Sequence, residues 1–389
     1  MKPNTPCVVG IGQTRYTKWN EPAGSSELQL ACAAILAAAD DAGLPAPLVD
    51  GIASFSNDSS EPPLIQATIG LAELRLSAMV WNGGGGGSCA SVDLAAMAVE
   101  TGRAKYVAAF RSLAQGQTGR YGLYDPNWRH ASFTHPFGLF APAQLLALPV
   151  RRHMHEFGTT QEQLGAFAIA CRKHAARNPN AVMREKPLDM DLYLSSRIIA
   201  DPLRLYDCCL ETNGACAVIV TTWERARDLP GVAVPILASI HGSSEGWSSG
   251  PLGAHNQPLE RYASVGAAQL ATELYAKAGV LPSDLDVAQI YDNFTGVALM
   301  AMEDFKLCGR GESGPFVESG AISWPNGALP VNTHGGNLSE AYTHGLNHVL
   351  EGVRQIRGTS TCQVDDAELC LVTGGPGPAP TSALILGRA

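Results

Sequence analysis

A helix, turn and strand pattern that occurs twice is the feature that most limits what this chain can fold into. Residues 28–55 carry apolar positions at helical spacing, a stop at Ala42-Gly43-Leu44-Pro45, and a short strand over 51–55. Residues 267–294 repeat the arrangement, with Ala278-Gly279-Val280-Leu281-Pro282 as the stop and 287–291 as the strand. A second pair follows: residues 89–101 read as a helix closed by Gly102 and followed by a strand at 106–110. Their counterpart is a helix over 346–357, closed by Gly358 and leading into a strand at 369–372. Each half then ends on an apolar strand, 215–220 and 381–386. Alternating helices and strands in two matching halves predict an α/β protein built by duplication.

The matched elements are unequally spaced, so insertions separate them, and the largest covers 112–205. The expected organisation is a first half made of residues 1–111 plus 206–230, a loop or lid insertion at 112–205, and a second half at 231–389. The insertion is too long for a plain connector. It is rich in His, Arg, Pro and aromatics (Tyr121, Tyr124, Trp128, His130, Phe133, His135, Phe137), which suits a segment that covers a substrate. Within it, Thr159-Thr160-Gln161-Glu162 offers a helix start, with the Thr159 hydroxyl three residues before Glu162.

Charge and composition narrow the function classes. With 27 Lys+Arg against 36 Asp+Glu, the net charge of −9 disfavours nucleic acid, which needs a basic footprint. At 46% hydrophobic and 16% charged residues the chain is neither disordered nor a coiled coil. No apolar run approaches the ~20 residues of a membrane span. The first residues run directly into the strand-like 7–12, leaving no room for a signal segment. The 10 cysteines form no CxxC pair and no zinc-ribbon spacing, so reduced, buried thiols and a cytoplasmic location are expected.

Three loops carry the chemistry. The five-glycine run Gly83 to Gly87, followed by Ser88-Cys89, feeds a helix. Its bare backbone and helix N-terminus suit an anion, an oxyanion or an activated thiol, unless it is only a tight turn. It lacks the Lys-[Ser/Thr] ending of a phosphate-binding P-loop. Tyr291-Asp292-Asn293-Phe294 leaves an apolar strand at the end where α/β sheets bind ligands. The stretch from Val331 to Gly345, polar and punctuated by glycine, has little packing value and reads as a surface loop or an active-site loop. His344 and His348 stand four apart on one helix face, and His153 and His155 lie on a strand, but no third ligand joins either pair and no metal site is expected.

Together these loops resemble the thiolase superfamily, specifically its lipid-transfer-protein branch of steroid-degrading aldolases. The likeness runs over nearly the whole chain. It is carried by His334-Gly335-Gly336-Asn337-Leu338-Ser339-Glu340-Ala341-Tyr342-Thr343-His344-Gly345-Leu346-Asn347-His348, by Ile199-Ala200-Asp201-Pro202-Leu203, and by Tyr291-Asp292-Asn293-Phe294. The resemblance implies a duplicated thiolase-like fold, two similar halves in a five-layered α-β-α-β-α core. Sterol-carrier-type thiolases hold histidines where this chain has Tyr291 and Tyr342. Their nucleophilic cysteine falls inside Gly83 to Gly87, and their second, Cys-x-Gly cysteine has no match near Val372-Thr373-Gly374-Gly375. In the aldolases of this branch two tyrosines occupy those motif positions, so catalysis is carried over to Tyr291 and Tyr342.

The implied reaction is retro-aldol cleavage of a steroid β-hydroxyacyl-CoA to a ketone and a short acyl-CoA such as propionyl-CoA. One tyrosine removes the hydroxyl proton and the other protonates the enolate, in an order the sequence leaves open. Backbone N–H groups of Gly85 and Gly86 would meet the enolate oxygen, with His334 and Asn293 as supporting donors. No cofactor is expected on the chain itself, because the substrate carries coenzyme A. A homodimer and a small partner with an OB-fold and a zinc ribbon are expected by resemblance. Two rivals stand beside this reading: a thiolase acyltransferase using Cys89 on a β-ketoacyl-CoA, and a non-catalytic lipid-binding or scaffold subunit.

Overall fold

A computed structural model describes residues 1–21, 24–56, 58–81, 84–118, 134–245, 259–375 and 380–389. The first half runs through β1 (Pro6–Gln13), β2 (Thr17–Lys18), α1 (Glu27–Asp41), β3 (Gly51–Phe55), α2 (Pro62–Ile69), β4 (Leu76–Val80), α3 (Gly87–Glu100) and β5 (Val107–Leu113). An excursion follows, with α4 (Pro142–Phe157), α5 (Gln161–Ala175), α6 (Met190–Ser195) and the hairpin β6 (Ile198–Ala200) and β7 (Leu203–Arg204), before β8 (Thr212–Thr222) completes the half. The second half holds β9 (Val234–Gly242), α7 (Ala268–Ala278), β10 (Val287–Gln289), α8 (Thr295–Asp304), α9 (Ser313–Glu318), α10 (Leu346–Arg357), β11 (Leu369–Gly374) and β12 (Thr381–Gly387).

The duplication is visible in the strand order. β3-β5-β8-β1 in the first half and β10-β11-β12-β9 in the second have the same sequence of partners. The senses match too: β3 with β5 and β10 with β11 are parallel, and the other neighbours are antiparallel. A short antiparallel pairing of β1 with β9 joins the halves at Cys7 with Pro235 and Val8 with Val234.

Apolar clusters fix the layers. α1 covers the outer face of the first sheet through Leu30, Ala34, Ile35 and Ala38 on Val9, Ile52 and Ile219. α3 and α10 lie between the two sheets, where Val92, Ala95, Val349 and Val353 meet Val218 and Val107 on one side and Val372 and Leu384 on the other. α7 and α8 cover the outer face of the second sheet. The result is the five-layered α-β-α-β-α arrangement. A central helix buried on both sides needs small residues, and α3 (GSCASVDLAAMAVE) has them.

The stop signals act as the sequence predicts, since Gly43, Gly102, Gly279 and Gly358 all have positive φ. Three expectations shift. The strand expected at 287–291 ends at Gln289, because the next two amides leave the ladder for side chains. The helix expected to be capped by Thr159 is capped by Thr160, whose hydroxyl accepts from the Gln163 N–H at 3.3 Å while the Gln163 side chain returns the bond. Thr159 instead hydrogen-bonds His153. His153 and His155 lie on helix α4, not a strand, because Leu145, Leu146, Val150 and His153 recur at helical spacing and form its buried stripe. Tyr121, Tyr124, Trp128, His130 and Phe133 lie outside the described residues. Elements α2, β4, β9 and α8 had no sequence expectation. Among the described residues, no helix is long and apolar enough to cross a membrane.

Candidate active site

Tyr291 stands just past the carboxyl end of β10. There the Ile290 N–H donates to Asn332 Oδ1 at 2.7 Å and the Tyr291 N–H donates to Thr373 Oγ1 at 2.9 Å. Side chains thus replace the ladder and hold the backbone where the strand opens. The phenol ring is 1% exposed and clasped by two glycines. A Cβ on Gly85 would fall 1.9 Å from Cε2 of the ring and 2.1 Å from Cζ, and one on Gly345 would fall 2.7 Å from Cδ2. Only glycine permits this approach on either side.

Tyr342 lies on the loop between the helical turn Gly336–Ser339 and α10, and it is half-buried. The Thr212 hydroxyl clamps its backbone, accepting from the Tyr342 N–H at 2.9 Å and donating to its carbonyl at 3.1 Å. The two phenolic oxygens are 3.1 Å apart and hydrogen-bonded. His344 meets the Tyr342 ring edge-on at 4.9 Å between centroids. Its Nδ1 accepts from Arg111 Nε at 3.0 Å. Arg111 is itself buried and tied to Asp58 at 2.8 Å and Glu27 at 3.3 Å. Burial, aided by the Arg111 charge, holds His344 well below the usual histidine range, so its ring is neutral.

Burial separates the two tyrosines. Burial pushes the Tyr291 phenol well above its ordinary value, although the Tyr342 hydroxyl and the Gly85 backbone amide favour the phenolate. At neutral pH Tyr291 therefore keeps its proton. Tyr342 instead lines a cleft of about 560 Å³, with Asn293, Phe294 and Cys209 beside it. The far wall comes from the excursion, at Ala141 to Ala143, Met183 and Ile199. Asn293 is buried, and its Oδ1 has no hydrogen-bond partner among the described residues.

Not every candidate residue reaches this place. Gly85 does, against Tyr291, while Gly86 packs on Pro380 and its carbonyl accepts from Ser382 Oγ at 2.8 Å. His334 sits behind the cleft in a buried polar network, 3.3 Å from Asn347 Nδ2 and 3.5 Å from Glu340 Oε2, and burial holds it neutral. Cys89 is 0% exposed in the central core, with Sγ 3.5 Å from the Val372 carbonyl. Burial pushes its thiol up to about 12, and a neutral thiol is neither a nucleophile nor a ligand. His344 and His348 do not share a helix face, since His344 precedes α10 with φ 52. Among the described residues no group of three or more His, Cys, Asp or Glu is arranged to hold a metal.

Sequence reasoning missed several supports. Asp292 accepts from the Asn337 N–H at 2.8 Å and so anchors the turn leading to Tyr342. Thr212 and Thr373 clamp the tyrosine backbones from distant strands, and nothing local marks them. Arg111 did leave a signal, as a lone charge inside the apolar strand VAAFRSL.

Comparisons with known proteins show the family and the fold. Residues 254–388 match the family model "Thiolase C-terminal domain-like". The chain is 42% identical to the 17-hydroxy-3-oxo-4-pregnene-20-carboxyl-CoA lyase of Mycobacterium tuberculosis, over 98% of each chain. It is 41% identical to the steroid side-chain-cleaving aldolase of Thermomonospora curvata, over 99% of this chain and 98% of that one. Among solved structures, an Ltp2-ChsH2(DUF35) aldolase superposes with a TM-score of 0.91 at 40% identity, covering 100% of this chain and 99% of the other.

Proposed function

This chain belongs to the steroid side-chain-cleaving aldolases of the thiolase superfamily, and from that premise we propose how its two tyrosines run the reaction. It is a carbon–carbon lyase that performs retro-aldol cleavage of a β-hydroxyacyl-CoA with a steroid side chain. In the substrate named for the 42% identical relative, the hydroxyl sits on the carbon β to the thioester carbonyl. Breaking the bond between the α and β carbons yields a 17-ketone and propionyl-CoA.

The observation that carries the mechanism is the 3.1 Å hydrogen bond between Tyr291 and Tyr342 at the cleft. Tyr342 faces the substrate and, as phenolate, takes the β-hydroxyl proton. The oxygen's electron pair forms the ketone while the Cα–Cβ pair passes into the thioester enolate. Tyr291, kept protonated by burial, gives its proton to Cα. Proton transfer from Tyr342 to Tyr291 along their hydrogen bond then restores both groups, so the cycle consumes no external acid or base. The Asn293 side chain lies buried beside Tyr342, and its Nδ2 amide is the group that donates to the thioester oxygen as the enolate forms, since its partnerless Oδ1 can only accept. Thiolase chemistry fits poorly: any side chain at Gly85 would overlap the Tyr291 ring, and Cys89 is sealed in the core.

All ten cysteines are free thiols, which suits the reducing cytoplasm where we place the enzyme. The solved relative is an aldolase with a DUF35 component, and this supports our expectation of a small OB-fold and zinc-ribbon partner. A homodimer is supported by β4, an edge strand that ends beside Trp81, 86% exposed, and carries Met79, 44% exposed.

Replacing either tyrosine tests the mechanism. Tyr342→Phe and Tyr291→Phe should each lower kcat by roughly 10²-fold or more, as for loss of a general acid or base, with unchanged thermal unfolding. Near-normal turnover in either variant would remove that residue from the mechanism.

A further inference from the structure

We propose that Arg111 locks His344 as a neutral ring with its one proton on Nε2, and that His344 in this form is a positioning residue for the Tyr342 phenolate, a role that rests on the two-tyrosine mechanism. Histidine is the common general base, and this one stands beside Tyr342. Its hydrogen bonds exclude that part.

The guanidinium of Arg111 is 0% exposed and held from several sides. Its Nη1 donates to Asp58 Oδ2 at 2.8 Å, to the Ser112 carbonyl at 2.9 Å and to Glu27 Oε1 at 3.3 Å. Its Nη2 donates to the Ser56 carbonyl at 3.2 Å. These bonds fix the plane of the fork, and its Nε–H then meets His344 Nδ1 at 3.0 Å. A guanidinium has donors and no acceptor, so Nδ1 presents its lone pair and the ring proton sits on Nε2. A second proton, on Nδ1, would set two donors and two positive charges face to face at 3.0 Å, around a ring that is 1% exposed. The ring is therefore neutral, and neither nitrogen keeps a free lone pair with which to take a proton.

A donor's part remains. The His344 ring meets that of Tyr342 edge-on, at 4.9 Å between centroids and 82° between planes. Through Nδ1 the Arg111 charge polarises the ring, which strengthens the positive pole at Nε2–H. That favours the charged form of the neighbouring phenol without setting a cation against it. The same guanidinium reaches toward the other tyrosine. Ser56, whose carbonyl it binds, accepts from the Gly84 N–H through its hydroxyl at 2.5 Å, and Gly84 precedes the glycine packed on the Tyr291 ring. One buried cation of the first half thus braces both phenols of the second.

Nitrogen-15 NMR of the histidine rings in the full chain tests the lock without relying on turnover. The His344 signals are those that vanish in His344→Asn or His344→Gln. A bare Nδ1 and a protonated Nε2 should persist from about pH 5.5 to about pH 8.5, across the ordinary histidine range. A ring protonated on Nδ1, or one that titrates in that interval, overturns the lock. His344→Asn keeps an acceptor for Arg111 and suits the left-handed backbone at φ 52, so thermal unfolding should be unchanged. Its kcat on a steroid CoA thioester should fall by roughly 10²-fold, as for loss of a donor to a developing charge, with KM held within about twofold. Unaltered kcat would overturn the positioning role and leave the aldolase reading intact. A locked ring in a chain that cleaves no thioester would sink the aldolase reading, and the role with it, while the lock stands.

Discussion

Gly85 and Tyr291 form a unit, because the ring occupies the space that any side chain at 85 would fill. Gly85→Ala should push the ring aside, break its 3.1 Å bond to Tyr342, and cost roughly 10²-fold in kcat, as misplacement of a reacting group does. Activity close to the parent's would show that the ring position is not critical. The pH profile follows from the same pair. Tyr342 acts as the phenolate and Tyr291 as the acid. Burial holds Tyr291 above the ordinary tyrosine value, so the acid stays protonated and no descending limb should appear below about pH 10. A fall in kcat between pH 7 and 9 would contradict these roles. The tyrosines were legible only through the family resemblance of their motifs, and their catalytic roles stand as our proposal. The supports from Thr212 and Thr373 were not, because they come from strands far away in sequence and act only once the sheet has assembled, whereas Arg111 left the signal of a lone charge in an apolar strand.

Among the elements, the four matched pairs of helices and strands were readable because periodicity and a stop glycine are local signals. Strand β9 and helix α8 escaped. β9 follows only the four-residue helical turn Trp223–Ala226 and so has no periodic helix before it, and α8 is buried all round, so it shows no amphipathic stripe. The turn before Tyr342 carries an energetic signature of its own. Glu340, packed between Asn178 and Asn347, has its pKa raised by burial from 4.5 to about 7, with Arg354 and the two amides opposing. Between those values the folded chain holds a proton that the unfolded chain has released, so stability falls as pH rises through the window. Glu340→Gln mimics the protonated acid and should flatten this slope, leaving the variant up to about 3 kcal/mol more stable than the parent at pH 8 and little changed at pH 4.5. Denaturant unfolding at the two values decides it, and an equal change at both would refute the assignment.

At the scale of the whole molecule, duplication builds the core and the second half supplies both tyrosines. The first half contributes Gly85, Thr212 and the Arg111 brace, so neither half holds a complete site. The homodimer we propose would pair through the exposed edge at β4, with Trp81 and Met79, and Trp81→Glu/Met79→Glu should then shift sedimentation toward the monomer. An unchanged profile would place the interface elsewhere. The central claim is that tyrosines, and not a cysteine, cleave a carbon–carbon bond here. Mass spectrometry of the enzyme turning over a 17-hydroxy steroid CoA thioester, with the proposed DUF35 partner present, tests it most directly. The account predicts equal amounts of 17-ketone and propionyl-CoA, no requirement for free coenzyme A, and no mass gain on Cys89. An acylated Cys89 with turnover that depends on added coenzyme A would contradict it.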